Sequence, residues 1–173
     1  MKSLHLVLGL CMVLALTGSV VAQQVSLDYD KGTDFSKFKT FAWGKGTPAK
    51  NPMVDQRIVA GIEGQLVNKG LQKVESNPDI IVIYHAAQDT QTQINTMGGG
   101  PLGGFRWGMG TATVDKIPVG QLIVDIGATE AKKFVWRGTA SGTISNKPEK
   151  NEKTLNKALA KMFQKFPPPP GKK

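Results

Sequence analysis

The chain is nearly without cysteine: one residue in 173, Cys11, and it falls in an apolar N-terminal segment. Histidine is almost as scarce, with His5 in that same segment and His85 beyond it. With the segment set aside, no thiol is left for a disulfide, for thiolate catalysis or for a cysteine-ligated metal. A lone histidine does not make a zinc centre either, because catalytic zinc takes about three protein ligands. No metal and no cofactor are therefore expected. Acidic residues are few as well, 13 against 22 lysines and arginines, giving a formal net charge of +9. Long hydrophobic runs are also missing: Leu4 to Leu16 is the longest, short of the roughly 20 residues that span a membrane.

That short run has the layout of a secretory signal. Lys2 supplies the positive start, the apolar core follows, and Val20-Val21-Ala22 presents small or slim residues before Gln23. Residues 1–22 are read as a signal peptide cleaved between Ala22 and Gln23. The mature chain is then exported, to the periplasm or outer envelope, as a soluble or peripheral protein without a transmembrane segment. A lipid anchor at Cys11 is disfavoured, since Leu10 stands where a small residue is needed. Removing residues 1–22 takes away Lys2 and no acid, so the formal charge passes from +9 to +8. Such a balance suits anionic surfaces, and export argues against nucleic acid among them.

Residues 23–166 read as one domain and 167–173 as a disordered Pro/Lys tail. Val25 to Tyr29 alternates apolar and polar residues, as a half-buried strand does. Phe38 to Trp43 is aromatic and β-prone. Asn51-Pro52 is a helix start, with Asn51 able to accept from free amides and Pro52 suited to the first helical position. Val54, Ile58, Ile62 and Leu66 follow on one face, which predicts a helix near 53–69, closed by Gly70. Gly61 and Gly64 are costly inside a helix and are assigned to close approach to a sheet.

Leu71 to Val74 is a short strand, and Asn77-Pro78-Asp79 turns the chain into the apolar run Ile80 to Ala87. Polar residues take over from Gln88, and Gly98 to Gly110 is a glycine-rich loop carrying Phe105, Arg106, Trp107 and Met109. Gln121 to Ile126 and Phe134 to Ala140 form a hairpin pattern around a turn at Ala128–Lys132, with Phe134 and Trp136 alternating with Val135 and Arg137. Leu155, Ala158, Leu159, Met162, Phe163 and Phe166 make the buried stripe of a last helix near 148–166. At roughly 1.5–3 kcal/mol for each large side chain, that stripe ties the helix to the fold. Strands segregated around two amphipathic helices predict an α+β two-layer sandwich: a mostly antiparallel sheet with both helices on one face.

Several stretches resemble a family of bacterial envelope proteins, the domain of unknown function 4136 (DUF4136). They are Asp28-Tyr29-Asp30 with Asp34 to Trp43, Asn51-Pro52 with Asp55 to Ile58, Asn77-Pro78-Asp79 entering the strand that ends in Tyr84-His85, and Leu122 to Asp125 leading to Val135-Trp136-Arg137-Gly138. Pro148-Glu149-Lys150 and Met162-Phe163 complete the pattern. The resemblance implies an export signal, often of the lipoprotein kind, and a glycine- and aromatic-rich loop before the final hairpin. It implies no activity.

Little in the chain promises chemistry. Gly98 to Gly103 has the spacing of a dinucleotide loop, but further glycines follow where a helix would have to start. No serine stands in a nucleophile elbow. His85, with Asp79, Asp89 or Asp125 to orient it, is the one general-base candidate and defines a hydrolase alternative. No catalytic residue is assigned. Asp55, Arg57, Asp125 and Arg137 match positions of the resemblance and are read as capping or bonding at element ends. The binding candidates are Phe105, Arg106, Trp107 and Met109, since aromatic and arginine side chains anchor protein interfaces. Lys150, Lys153 and Lys157 form a basic stripe for an anionic surface. The expected function is a non-enzymatic envelope module that meets an unknown protein or ligand through the loop. The alternative is peripheral binding to anionic membrane or envelope polymer through the basic helix.

Overall fold

A computed structural model describes residues 23–96 and 112–169. Six strands form one sheet: β1 (Gln24–Tyr29), β2 (Thr40–Trp43), β3 (Gln72–Lys73), β4 (Ile80–Thr96), β5 (Ala112–Ala128) and β6 (Lys133–Thr143). Two helices, α1 (Pro52–Asn68) and α2 (Pro148–Gln164), lie within a residue or two of the predicted bounds. The strand order is β1-β6-β5-β4-β2-β3. The β1–β6, β6–β5 and β5–β4 pairs are antiparallel, and β2 runs parallel to both β4 and β3. The α+β sandwich with a mostly antiparallel sheet is thus borne out.

Local chemistry explains the joints. Asp79 accepts from the Lys39 and Thr40 amides at 2.8 and 2.9 Å and from the Thr40 hydroxyl, so the turn before β4 also starts β2. Asn51 caps α1 by accepting from the Met53 and Val54 amides. Asp55, one turn further, accepts from the Ala49 amide and from the Tyr84 hydroxyl, pinning loop, helix and β4 together. Burial and this carboxylate push the Tyr84 hydroxyl up to about 12. At the far end of the β2–α1–β3 crossover, Glu63 accepts from Trp43 Nε1 and from Lys73.

The core lies between the sheet and both helices. In one cross-strand row Tyr29, Trp136, Ile126 and Val82 stand side by side, under Phe163 and Phe166 of the α2 end. The next row is Leu27, Gly138, Val124 and Tyr84. Gly138 is needed there: a Cβ at this position would run into Met162 and the Trp136 ring. Pro168, placed in the tail by sequence, is buried.

Three expectations require correction. Gly61 does not approach the sheet; its missing Cβ makes room for Leu159, which would stand 2.5 Å away, so it brings α1 against α2. Gly64 faces open space. The alternation in β6 fails because a bulge lies opposite Ile126 and Gly127, so Val135 and Trp136 are both buried while Phe134 is 60% exposed. Finally, β4 does not stop at Ala87 and β5 does not begin at Gln121. The two strands pair continuously from Ile80↔Ala128 to Thr96↔Ala112.

Candidate functional site

Two places in the fold are built differently from a packed core. The first is the outer part of the β4–β5 hairpin. β6 leaves β5 at the Thr143↔Val119 pair, so beyond Pro118 the two strands continue as a ribbon without sheet neighbours. Pro118 permits this. Its carbonyl accepts from Ile144 on the β6 side, so its absent N–H faces that side too and the ladder to β4 is unbroken. Gln88 to Thr92 are exposed along the ribbon. Its last paired residues, Thr96 and Ala112, bracket the segment that carries Phe105, Arg106, Trp107 and Met109. Those four residues lie outside the described part of the structure.

The second place is a cleft of about 400 Å³ between the N-terminal halves of α1 and α2, open to solvent over the sheet. Contacts of Arg57 with Glu152 and of Gly61 with Leu159 show the helices running in the same direction, so both N-terminal halves flank the cleft. Its origin is a fall in side-chain volume along the sheet. The Tyr29–Trp136–Ile126–Val82 row gives way to Val25, Ala140, Leu122 and Ala86, and then to Gly142, Gly120 and Gln88. Val54 and Ile58 form one wall, and Leu155 and Ala158 the other. At the rim Arg57 and Glu152 meet across the helices at 3.5 Å, each partly exposed, beside Lys50. Gln23 closes one corner, donating from its side-chain amide to the Thr154 carbonyl at 2.6 Å. The cleft was not anticipated from the sequence. Its floor is made of Leu122 among alanines and glycines, and only the strand register places them together.

The other candidates are dispersed. Lys150, Lys153 and Lys157 are exposed on α2. His85 is exposed on the sheet face away from the helices, its Nδ1 2.9 Å from the Thr47 hydroxyl. None of its proposed orienters is turned to it: Asp79 holds the start of β2, Asp89 accepts from the Thr90 amide, and Asp125 binds Arg137. Asp125 and Arg137 do not cap an element. They face each other in register within β5 and β6. Of the signal cleavage pair, Gln23 is described and Ala22 lies outside the described residues. Among the described residues no group of three or more His, Cys, Asp or Glu side chains could hold a metal ion, and no helix is long and apolar enough to cross a membrane.

Among the described residues, one sheet with two parallel-running helices on one face, and a β4–β5 ribbon extending beyond the end of β6, defines the class of this protein. The sequence profile of the domain of unknown function DUF4136 matches residues 25–168, and the chain belongs to that family. No curated protein matches it. Among solved structures it is similar to a PDZ domain protein from Parabacteroides distasonis, with a TM-score of 0.56 at 16% identity. The match covers 85% of this chain and 35% of that one, so the chain spans about a third of that protein and shares the fold of that part. Weaker likenesses are to a minor lipoprotein from Acinetobacter baumannii (TM-score 0.37, 13% identity, 75% of this chain and 92% of that one) and to a lipoprotein from Neisseria meningitidis (0.42, 9%, 73% and 98%).

Proposed function

We propose that this chain is an exported, non-enzymatic module of the bacterial envelope that engages a protein or ligand partner through the segment between β4 and β5. The observation that supports this reading is the ribbon. Two strands of 17 residues each carry the ends of that segment beyond the point where β6 stops. A two-stranded ribbon in water is marginally stable by itself, and the side chains of Asp89 to Thr92 along it are exposed. Its value lies in what it presents. Phe105, Arg106 and Trp107 are residue types that anchor interfaces, and the glycines around them lower the strain of fitting a partner while raising the ordering entropy lost on binding.

The test is crosslinking and capture from the native envelope with the intact protein and with Phe105→Ala/Trp107→Ala. The double variant is expected to lose the captured partner at low and at high salt, with an unchanged melting temperature. Identical capture by both proteins would refute the role of the loop. His85→Ala is expected to leave capture unaltered, and turnover in a hydrolase screen that this change abolishes would overturn the non-enzymatic reading.

A second reading is favoured by the exposure of Lys150, Lys153 and Lys157 along α2. Each lysine near an anionic surface contributes about 1 kcal/mol, screened by salt. Replacing the three by glutamine is expected to abolish any salt-sensitive retention on phosphatidylglycerol vesicles and to leave partner capture intact.

A further inference from the structure

The helix cleft carries an inference separate from the loop. Its lining is mainly apolar, formed by Val54, Ile58, Leu122, Leu155 and the small residues Ala86 and Ala140. The volume of about 400 Å³ lies at the lower end of the roughly 300–1,000 Å³ typical of small-molecule sites. Val54, on the wall of the cleft, stays 37% exposed, so apolar surface is open to solvent at the mouth. The lining charges are Lys50, Arg57 and Glu152. Glu152 is the single acid among them, and it is already paired with Arg57.

The charge balance at the rim is therefore positive. The N-terminal halves of α1 and α2 both border the cleft, and helix N-termini carry partial positive charge. Arg57 offers the rim a planar, multiply donating cation whose present partner is held by one loose contact of 3.5 Å. An incoming anion can take that place with better geometry, since carboxylate and phosphate groups accept from guanidinium in pairs. Apolar depth, apolar mouth and a cationic rim together describe an amphiphile.

We propose that this cleft binds a single-chain amphiphile with an anionic head, its alkyl chain lying on the Ala86–Leu122–Ala140 floor and its head on Arg57 and Lys50 in place of Glu152. A carboxylate or a phosphoryl group satisfies the same rim. The size of the cleft fits one chain and leaves no room for a second.

The test uses the purified protein with four ten-carbon probes below their micelle concentrations: decanoate, decyl phosphate, decanol and decylammonium. Methyl NMR locates the site and calorimetry gives the affinities. Either anionic probe is expected to saturate while shifting the methyl signals of Ala86, Leu122, Ala140 and Leu155. The tighter of the two identifies the head group. Decanol is expected to bind more weakly and decylammonium weakest. Arg57→Gln, at the partly exposed rim, is expected to keep the parent melting temperature. It should weaken the anionic probes about five- to tenfold and leave decanol unchanged. Glu152→Gln, which frees Arg57, should tighten them severalfold. Ala140→Phe, checked by its melting curve, should remove binding of all probes. The proposal is overturned if no anionic probe saturates, if the shifted methyls lie elsewhere, or if Arg57→Gln leaves the preference for an anionic head intact.

Discussion

Asp125 shows how a single residue is made tolerable by its neighbours. It stands on the sheet face away from the helices, yet its side chain is 3% exposed. Arg137 donates to it twice, from Nε at 2.5 Å and Nη2 at 2.9 Å, while the arginine side chain stays 56% exposed. Only one of the two ions is desolvated, so the bidentate contact has less to offset than a fully buried pair would. Asp28 flanks the guanidinium in the same row, and the two acids together raise the Arg137 pKa, chiefly through the Asp125 hydrogen bonds. Asp30 is the surface counterpart. Lys133, the Gly32 amide and the Thr33 hydroxyl hold its carboxyl down at about 2, below its ordinary 3.8. A depressed carboxylate adds stability that is complete above its unfolded pKa and is lost as the pH falls through the folded one. Asp30→Asn is therefore expected to lower the urea midpoint near neutral pH. The gap to the parent protein should close between about pH 4 and about pH 2. A gap of equal size across that window would show that the charge of Asp30 contributes nothing.

Elements differ in how openly the sequence announces them. α2 is legible from Leu155, Leu159, Met162 and Phe163 because a buried face on a wet helix forces the three-and-four spacing. α1 is legible from its Asn51-Pro52 start and from Ile58, Ile62 and Leu66, all buried. The outer halves of β4 and β5 are not, for a physical reason. Where both faces of a strand are exposed, as from Gln88 to Thr92, no apolar side alternates with a polar one, so these residues carry no period. The bulge at Val135 is hidden because one extra residue changes the facing of its neighbours while leaving composition unchanged. The cleft is hidden because absent volume has no residue type of its own. The ribbon's independence from the core is itself testable. Replacing residues 90–118 by Asn-Gly would join the register partners Asp89 and Val119 through a tight hairpin turn. The shortened protein is expected to melt within a few degrees of the parent by circular dichroism and to lose the captured partner. A large drop in melting temperature would make the ribbon part of the folded core.

At the scale of the whole molecule, the sheet closes by joining its two chain ends. Among the described residues β1 has a single strand neighbour, and that neighbour is β6, the last of the described strands to be made. Ser26 and Thr139 share a hydrogen bond across 113 residues, and Gln23 reaches α2 beyond them. Synthesis delivers β1 first and its partner almost last. Until then β1 is an unpaired edge, the kind of segment that pairs with the wrong chain. β2, α1, β3, β4 and β5 can assemble meanwhile, and they lack the Trp136–Phe163–Phe166 cluster that fills the core. A chain ending at residue 130 is expected to be protease-sensitive and without a cooperative melt, whereas a stable core in that fragment would contradict this order. The hour at which this protein becomes native is thus fixed by its C-terminus. Any chaperone that meets this chain before β6 arrives meets an open β1 edge, so the arrival of β6 decides how long that edge needs shielding.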